Sequence, residues 1–182
     1  MKALVVYESM YGNTRHIADA IAEGLRTSVE TEVRLVGDVR AEDVSAAQLV
    51  VVGAPTHAWS LSRRSTRQSA ATDAGKHAAT VDVAAVEVGV REWLRDVTPQ
   101  RGCRSAAFDT RLDKPHFFTG SAMRAIERGL LAAGFSIFGK SHSFRVTGST
   151  GPLAVGELER ATQWGEAMGR TLVQVVSAPK AA

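Results

Sequence analysis

The chain has 182 residues, of which 45% are hydrophobic and 23% charged, with a formal net charge of +3 and one cysteine. These values are typical of a single globular domain and exclude a collagen-like, repetitive or mainly disordered protein. A single cysteine excludes an internal disulfide, and no two histidines have the helical spacing of a metal site. No apolar run is long enough for a membrane span, so we expect a cytoplasmic protein.

The first part of the chain alternates apolar strands with a helix. Lys2–Tyr7 is hydrophobic on both faces and predicts a buried parallel strand. Apolar residues at helical spacing predict a helix at Thr14–Arg26 that follows this strand directly. Further strands are predicted at Val33–Val36 and Leu49–Gly53, and Pro55 ends the latter because proline has no amide for a sheet ladder.

Residues 61–82 interrupt this alternation. No Val, Ile, Leu, Met or aromatic ring of Phe, Tyr or Trp occurs between Ser62 and Thr80, which predicts a mobile surface insertion. The segment from Ser60 to Thr80 carries four cations and one anion, so it accounts for the whole net charge of +3. The insertion is therefore predicted to be basic.

The remaining elements continue the strand and helix pattern. They are predicted, in order, as a helix at Gly89–Asp96, a strand at Ser105–Phe108, a loop at Asp109–Gly120, a helix that ends at Gly134, a strand at His142–Val146 and a last helix after Pro152. This alternation predicts one α/β domain spanning residues 1–182, with a doubly wound, five-stranded parallel sheet. In such a sheet ligands bind at the carboxyl ends of the strands, so the loops after strands one, three and four form the candidate site.

The loop after the first strand, which we call the phosphate loop, leads directly into a helix and consists of Ser9, Met10, Tyr11, Gly12, Asn13 and Thr14. Its free amides and the hydroxyls of Ser9 and Thr14 would surround an anion such as a phosphate. Gly12 permits a close backbone approach or a positive φ. An ordinary helix start capped by Thr14 would use the same residues, and the neighbouring loops favour the phosphate site.

The loops after the third and fourth strands offer walls for a flat ring. The first of these contains Pro55, Thr56, His57, Ala58 and Trp59. Trp59 would stack on a ring such as the isoalloxazine of flavin mononucleotide (FMN), or would instead pack under the insertion. The second wall would come from Asp109, Thr110, Arg111 and the backbone near Gly120, whereas Phe117 and Phe118 would either stack on the ring or anchor their loop.

With these loops the chain resembles the flavodoxin family, FMN-binding domains with the strand order 2-1-3-4-5. The family's phosphate loop has the form Ser/Thr-x-Thr-Gly-x-Thr, which this chain matches at Ser9, Gly12 and Thr14 but not at Tyr11. The Ser-Met-Tyr-Gly start is similar to that of tryptophan-repressor-binding-protein-type quinone oxidoreductases and of the flavodoxin modules of flavodiiron proteins. The resemblance implies FMN as the cofactor and residues 56–59 and 109–111 as the ring loops.

Two other phosphate-binding interpretations fail on their context. Residues 134–141 match the Walker A pattern, but a helix precedes them and a strand follows, which is the reverse of a working P-loop. A response-regulator receiver domain needs an aspartate at the end of strand three, where this chain has Gly53, Ala54 and Pro55.

The resemblance implies an electron carrier between a reductase and an acceptor protein, with no catalytic side chain. The alternative is an FMN-dependent oxidoreductase that passes electrons from NAD(P)H or another donor to a quinone or a porphyrinogen. A sequence pI near 9.3 favours the alternative, because a basic protein would not be steered to a basic reductase. The basic insertion is either a solvated loop, a lid or a contact for a nicotinamide nucleotide. It has no aromatic residue for base stacking, so we expect no nucleic-acid partner.

Overall fold

The computed structural model of the protein describes residues 1–57, 60–68, 88–114 and 120–178. Within these ranges the strands are β1 (Lys2–Tyr7), β2 (Glu30–Leu35), β3 (Leu49–Pro55), β4 (Arg104–Leu112), β5 (Ser136–Ile137) and β6 (His142–Val146). The helices with both ends described are α1 (Asn13–Arg26), α2 (Ala41–Ala46), α3 (Val90–Asp96), α4 (Ala122–Ala132) and α5 (Glu157–Ser177). Each of them lies between two strands or follows the last one, as a doubly wound fold requires.

The strands form one parallel sheet in the order β2-β1-β3-β4-β5, with β6 also paired to β4. This arrangement confirms the predicted fold class and strand order. The edge strand is split, however. Arg104 lies opposite Ser136 and Phe108 opposite His142. Between these two pairs the edge strand contains six residue steps and β4 only four, so the pairing with β4 is interrupted. The short first piece was missed because it pairs over only two residues, Ser136 and Ile137.

Both faces of the sheet are covered. One face packs against α1 and α5 with a core that includes Ile21, Phe108 and Leu172, and the other packs against the remaining helices. The helix α5 is 21 residues long and α1, which packs against it, only 14, and Leu158 and Val176, near the two ends of α5, are exposed. No helix within the described ranges has the length and apolarity needed to cross a membrane.

The strand β4 extends further than predicted. Asp109, Thr110 and Arg111, which were predicted to begin a loop, pair with β6 and are almost completely buried. Polar side chains rarely occur in a buried strand, which is why the sequence pattern placed the strand end at Phe108. Here each of the three side chains has at least one hydrogen-bond partner: the Thr110 hydroxyl, for example, lies 2.8 Å from the hydroxyl of Thr14.

The start of the predicted insertion at 61–82 belongs to the folded domain. Residues 64–68 are helical, and Leu61, Ser62 and Arg67 are buried. The Arg67 guanidinium forms an ion pair with the Glu92 carboxylate at 3.0 Å. Residues 69–87 lie outside the described residues, so the mobility of this part stays a prediction.

Candidate functional site

A cavity of about 160 Å³ lies at the carboxyl ends of β1, β3, β4 and β6. Its lining residues are Ser9, Met10, Tyr11, Asn13, Thr14, Pro55, Thr56, His57, Thr110, Arg111, Leu112, Val146 and Ser149. All but the last three are predicted site residues from three separate loops. The contribution of β6 was missed because the sequence analysis looked for the site after strands one, three and four, whereas the end of the edge strand also reaches this cavity.

The phosphate loop turns sharply into α1. Gly12 is the N-cap residue of this helix with φ +83°, a left-handed conformation that an L side chain rarely adopts. A Cβ at this position would meet nothing closer than 3.9 Å, so the glycine is required by conformation and not by space. Asn13, which follows Gly12, is held in place because its side-chain amide donates to the Thr150 carbonyl oxygen at 2.9 Å.

The hydroxyl of Ser9 is buried and has no hydrogen-bond partner among the described residues. Leaving a buried polar group unpaired costs roughly 1 to 3 kcal/mol, so native proteins rarely do so without a ligand or a water. Ser9 lines the cavity next to the first turn of α1, whose amides also lack helical partners. Hydroxyls and amides without an acidic side chain form a donor set that fits an anion such as a phosphate.

After β3, two backbone hydrogen bonds of 2.8 and 2.9 Å join His57 to Ser60. We call this bonded pair of residues the β3 turn. Ala58 and Trp59 fall between these two residues but lie outside the described residues, so their predicted contact with a ring stays a prediction. Burial, and then the charge of Arg67, lower the pKa of His57, which favours a neutral imidazole at neutral pH.

Asp109 and Gly120 are not among the residues that line the cavity. The Oδ2 atom of Asp109 accepts hydrogen bonds from the Thr56 hydroxyl at 3.0 Å, the Ser121 hydroxyl at 2.8 Å and the Met123 amide at 3.0 Å. The carboxylate therefore ties the start of the loop after β3 to the start of α4. The structure places Asp109 behind the wall of the site, as a support for Thr56.

The sequence analysis missed Glu8, which directly precedes the phosphate loop and is fully buried. Its carboxylate accepts hydrogen bonds from the Ser62 hydroxyl and from the Val90 amide, the latter at 2.9 Å. Burial raises the pKa of Glu8, and these two hydrogen bonds and the charge of Arg67 act in the opposite direction. The signal that could have found it is a carboxylate at the end of an otherwise apolar strand.

Comparisons with known proteins agree with this fold. A flavodoxin domain family model matches residues 4–88. A flavodoxin of Aquifex aeolicus (strain VF5) is 41% identical over 68 residues, and the match covers 34% of this chain and 37% of that protein. The match thus spans little more than a third of the length of this curated relative.

Solved structures share the fold over most of the chain. Oxidised flavodoxin 1 from Bacillus cereus has a TM-score of 0.64 at 17% identity and covers 93% of this chain and 98% of its own. The flavodoxin, WrbA-like protein from Agrobacterium tumefaciens has a TM-score of 0.61 at 17% identity over 95% and 98% of the two chains. The flavodiiron protein from Giardia intestinalis has a TM-score of 0.63 at 19% identity over 98% of this chain and 38% of its own. The predicted resemblance is thereby confirmed in sequence and in fold, and the family that it names is one of FMN-binding proteins.

Proposed function

We propose that this chain, which is flavodoxin-like in its fold and matches the flavodoxin domain family in its first half, binds FMN at the cavity and transfers electrons between a reductase and an acceptor protein. The phosphate of FMN would bind at the phosphate loop. The ring would lie toward the β3 turn. FMN, when bound, supplies the redox chemistry, and the protein holds it in place and sets its environment.

The unpaired hydroxyl of Ser9 is the observation that carries this proposal. It is buried, it lines the cavity, and it belongs to the loop that opens α1. A phosphate oxygen is an acceptor that would satisfy this hydroxyl and the free amides of the first helical turn together. The positive φ of Gly12 turns the backbone into the helix at this point, which brings these amides close to the same volume.

The remaining lining residues suit a redox cofactor better than a catalytic reaction of side chains. His57 is the titratable imidazole of the cavity, and its lowered pKa keeps it neutral at neutral pH. Arg111 contributes a buried guanidinium beside Thr110. These groups would orient an anionic cofactor and exclude water, and no acid and base pair is needed for the transfer of electrons.

The partner of an electron carrier with this charge would be acidic. A net charge of +3 and a pI near 9.3 favour docking to an acidic surface and disfavour docking to a basic reductase.

A single buried cysteine is consistent with a cytoplasmic location. Steady-state oxidation of NADH or NADPH with a quinone, in the absence of an added reductase, would instead identify the protein as an FMN-dependent oxidoreductase.

The test compares Ser9→Ala with Ser105→Ala. Ser105 also has a buried hydroxyl without a partner among the described residues, but it lies in β4 away from the cavity lining. Each change removes one unpaired buried hydroxyl, so we expect neither apoprotein to lose stability. Loss of one charge-assisted hydrogen bond should weaken FMN binding about tenfold or more in Ser9→Ala, whereas Ser105→Ala should bind as the wild type does.

Riboflavin, which has the ring but no phosphate, completes this test. Its affinity should be the same in Ser9→Ala and in the wild type, because the hydroxyl is proposed to bind the phosphate. Failure of the wild-type protein to quench the fluorescence of added FMN, or wild-type FMN affinity in Ser9→Ala, would overturn the proposal.

A further inference from the structure

Glu8 joins the end of β1 to two segments that are distant in sequence. Its side chain is fully buried and does not line the cavity. The Oε1 atom accepts a hydrogen bond from the Ser62 hydroxyl, and the Oε2 atom accepts one from the Val90 amide at 2.9 Å. Its own amide donates to the Gly53 carbonyl oxygen at 2.9 Å, so its backbone is fixed by β3. Glu8 is therefore a rigid point to which Ser62 is attached.

Ser62 stands two residues after the β3 turn that walls the cavity. Leu61, between the turn and Ser62, is buried. Arg91 of α3 donates to the carbonyl oxygens of Leu61 at 2.6 Å and Ser62 at 2.9 Å. The chain that leaves the turn is thus held at its backbone by Arg91 and at its side chain by Glu8.

Arg67 closes the network on the far side of Ser62. Its guanidinium donates to the Ser62 hydroxyl at 2.9 Å and to the Glu92 carboxylate at 3.0 Å. A Cβ at Gly89 would lie 2.3 Å from Arg67 Nη1 and 2.8 Å from Glu8 Oε2, so the packing leaves no room for another arrangement. Buried charges are tolerated only when they are paired and hydrogen-bonded, which restricts this network to one geometry.

We propose that Glu8 is a positioning residue for the cofactor: it acts through Ser62 to hold the β3 turn in place against the cavity. The inference rests on the proposed function, because the turn matters to the cofactor only if a flavin binds there. The phosphate loop has its own supports, the turn at Gly12 and the bond from Asn13 to the Thr150 carbonyl oxygen, and neither involves a residue of this network. Glu8 should therefore act on the ring side of the site and not on the phosphate side.

The first test needs no cofactor. Glu8→Gln keeps the shape of the side chain but replaces one of the two acceptors with a donor. Hydrogen exchange of the His57 and Ser60 amides, which bond to each other across the β3 turn, should become about tenfold faster, as expected for the loss of one hydrogen bond to a charged group. The His16 amide, which bonds to the Gly12 carbonyl oxygen, should exchange at the wild-type rate.

Glu157→Gln is the matched control for this exchange measurement. Glu157 is also a buried carboxylate that accepts a backbone amide, that of Arg145 at 3.1 Å, and an arginine side chain, but it stands at the start of α5. Its substitution should leave the exchange of His57 and Ser60 unchanged. Equal acceleration in both variants would mean that general destabilisation opens the turn, and would overturn the inference.

The second test measures flavin affinity. Glu8→Gln should weaken FMN and riboflavin by the same factor, about tenfold, so that the ratio of the two affinities stays constant. Ser62→Ala removes the other end of the contact and should have the same effect. Because both changes break the same hydrogen bond between Ser62 and Glu8, the loss of affinity in the double variant should be smaller than the product of the two single losses.

The outcomes separate the inference from the proposed function. Three results would overturn the positioning role: additive effects of Glu8→Gln and Ser62→Ala, a changed ratio of FMN to riboflavin affinity, or wild-type affinity in Glu8→Gln. In each of these cases FMN binding by the wild type would still support the proposed function. If the wild type binds neither flavin, the proposed function fails and the role in cofactor positioning fails with it. Should Glu8→Gln not fold, the same predictions apply to Ser62→Ala, which keeps the ion pair of Arg67 with Glu92 and the hydrogen bond from the Val90 amide to Glu8.

Discussion

The phosphate loop and the β3 turn line the same cavity but are held in place by different means. In the phosphate loop the backbone is set locally: the strand β1 ends, Gly12 turns the chain, and α1 begins at Asn13. Side-chain bonds from Asn13 to the Thr150 carbonyl oxygen and between the Thr14 and Thr110 hydroxyls are added to this local frame. The β3 turn depends on groups that are far away in the sequence. Asp109 holds Thr56, which precedes the turn, and Glu8 holds Ser62, which follows it.

Because the two walls are held differently, substitutions in their supports should affect different sides of the cavity. A change in a local support alters the loop that contains it and leaves the other wall intact. A change in a remote support acts on a wall that it does not itself form. Substitutions on both sides therefore test whether the two walls are independent.

The largest effect is expected at the remote support Asp109. Asp109→Ala removes the acceptor of three hydrogen bonds, from the Thr56 and Ser121 hydroxyls and the Met123 amide, and should lower the free energy of unfolding by roughly 3 kcal/mol. Flavin binding should weaken because Thr56 lines the cavity. Urea unfolding of the apoprotein and titration with riboflavin measure the two effects.

Asp109→Asn is the control for this change. Its side-chain oxygen can replace Oδ2 as the acceptor, so most of the stability should return, with a residual loss of about 1 kcal/mol from the weaker, uncharged bonds. Equal losses in the alanine and asparagine variants would show that the three hydrogen bonds do not support this wall.

A smaller effect is expected at the local support Gly12. Gly12→Ala has space for its Cβ but must keep a positive φ, which costs about 1 to 2 kcal/mol. Gly102→Ala is the matched control, because Gly102 has φ +81° and free surroundings but precedes β4 and does not belong to the phosphate loop. Both variants should lose similar stability in thermal unfolding, and only Gly12→Ala should lose affinity for FMN. Loss of FMN affinity in both would mean that stability alone controls binding.

The local wall is also the part of the site that the sequence predicts. The apolar run of β1, the glycine and the amphipathic pattern of α1 stand next to each other in the chain, so their spatial relation follows from strand and helix geometry. For the same reason most elements and the doubly wound parallel sheet could be predicted from alternating strands and helices, whereas the strand order was implied by the resemblance to the flavodoxin family. The short piece β5 could not, since two residues carry no periodicity.

The remote wall could not be predicted because it depends on tertiary contacts of polar residues. Asp109 is buried within β4, and Arg67 is fully buried although it stands in a segment whose composition predicts a solvated insertion. A sequence pattern reports the usual exposure of a residue type and not the partner that permits its burial. Glu8 and Ser62 are 54 residues apart, so nothing local relates them.

The last prediction concerns the pH dependence of the remote wall. Burial raises the pKa of Glu8 above its ordinary value of 4.5, against the hydrogen bonds from Ser62 and Val90 and the charge of Arg67. The folded protein therefore holds this proton more tightly than the unfolded chain does. The resulting stabilisation is complete below the unfolded pKa and is lost as the pH rises through the raised, folded pKa.

Glu8→Gln cannot ionise, so the free energy of unfolding of the wild type relative to this variant should fall as the pH is raised above 4.5. Urea unfolding of both proteins across this range measures the difference, and the titration of His57, which both proteins contain, largely cancels. A difference that does not change with pH would mean that folding leaves the pKa of Glu8 unaltered. A falling difference would show that ionisation of the Glu8 carboxyl lowers the free energy of unfolding of the folded protein. The phosphate loop has no such pH-dependent term of its own, because it contains no acidic residue.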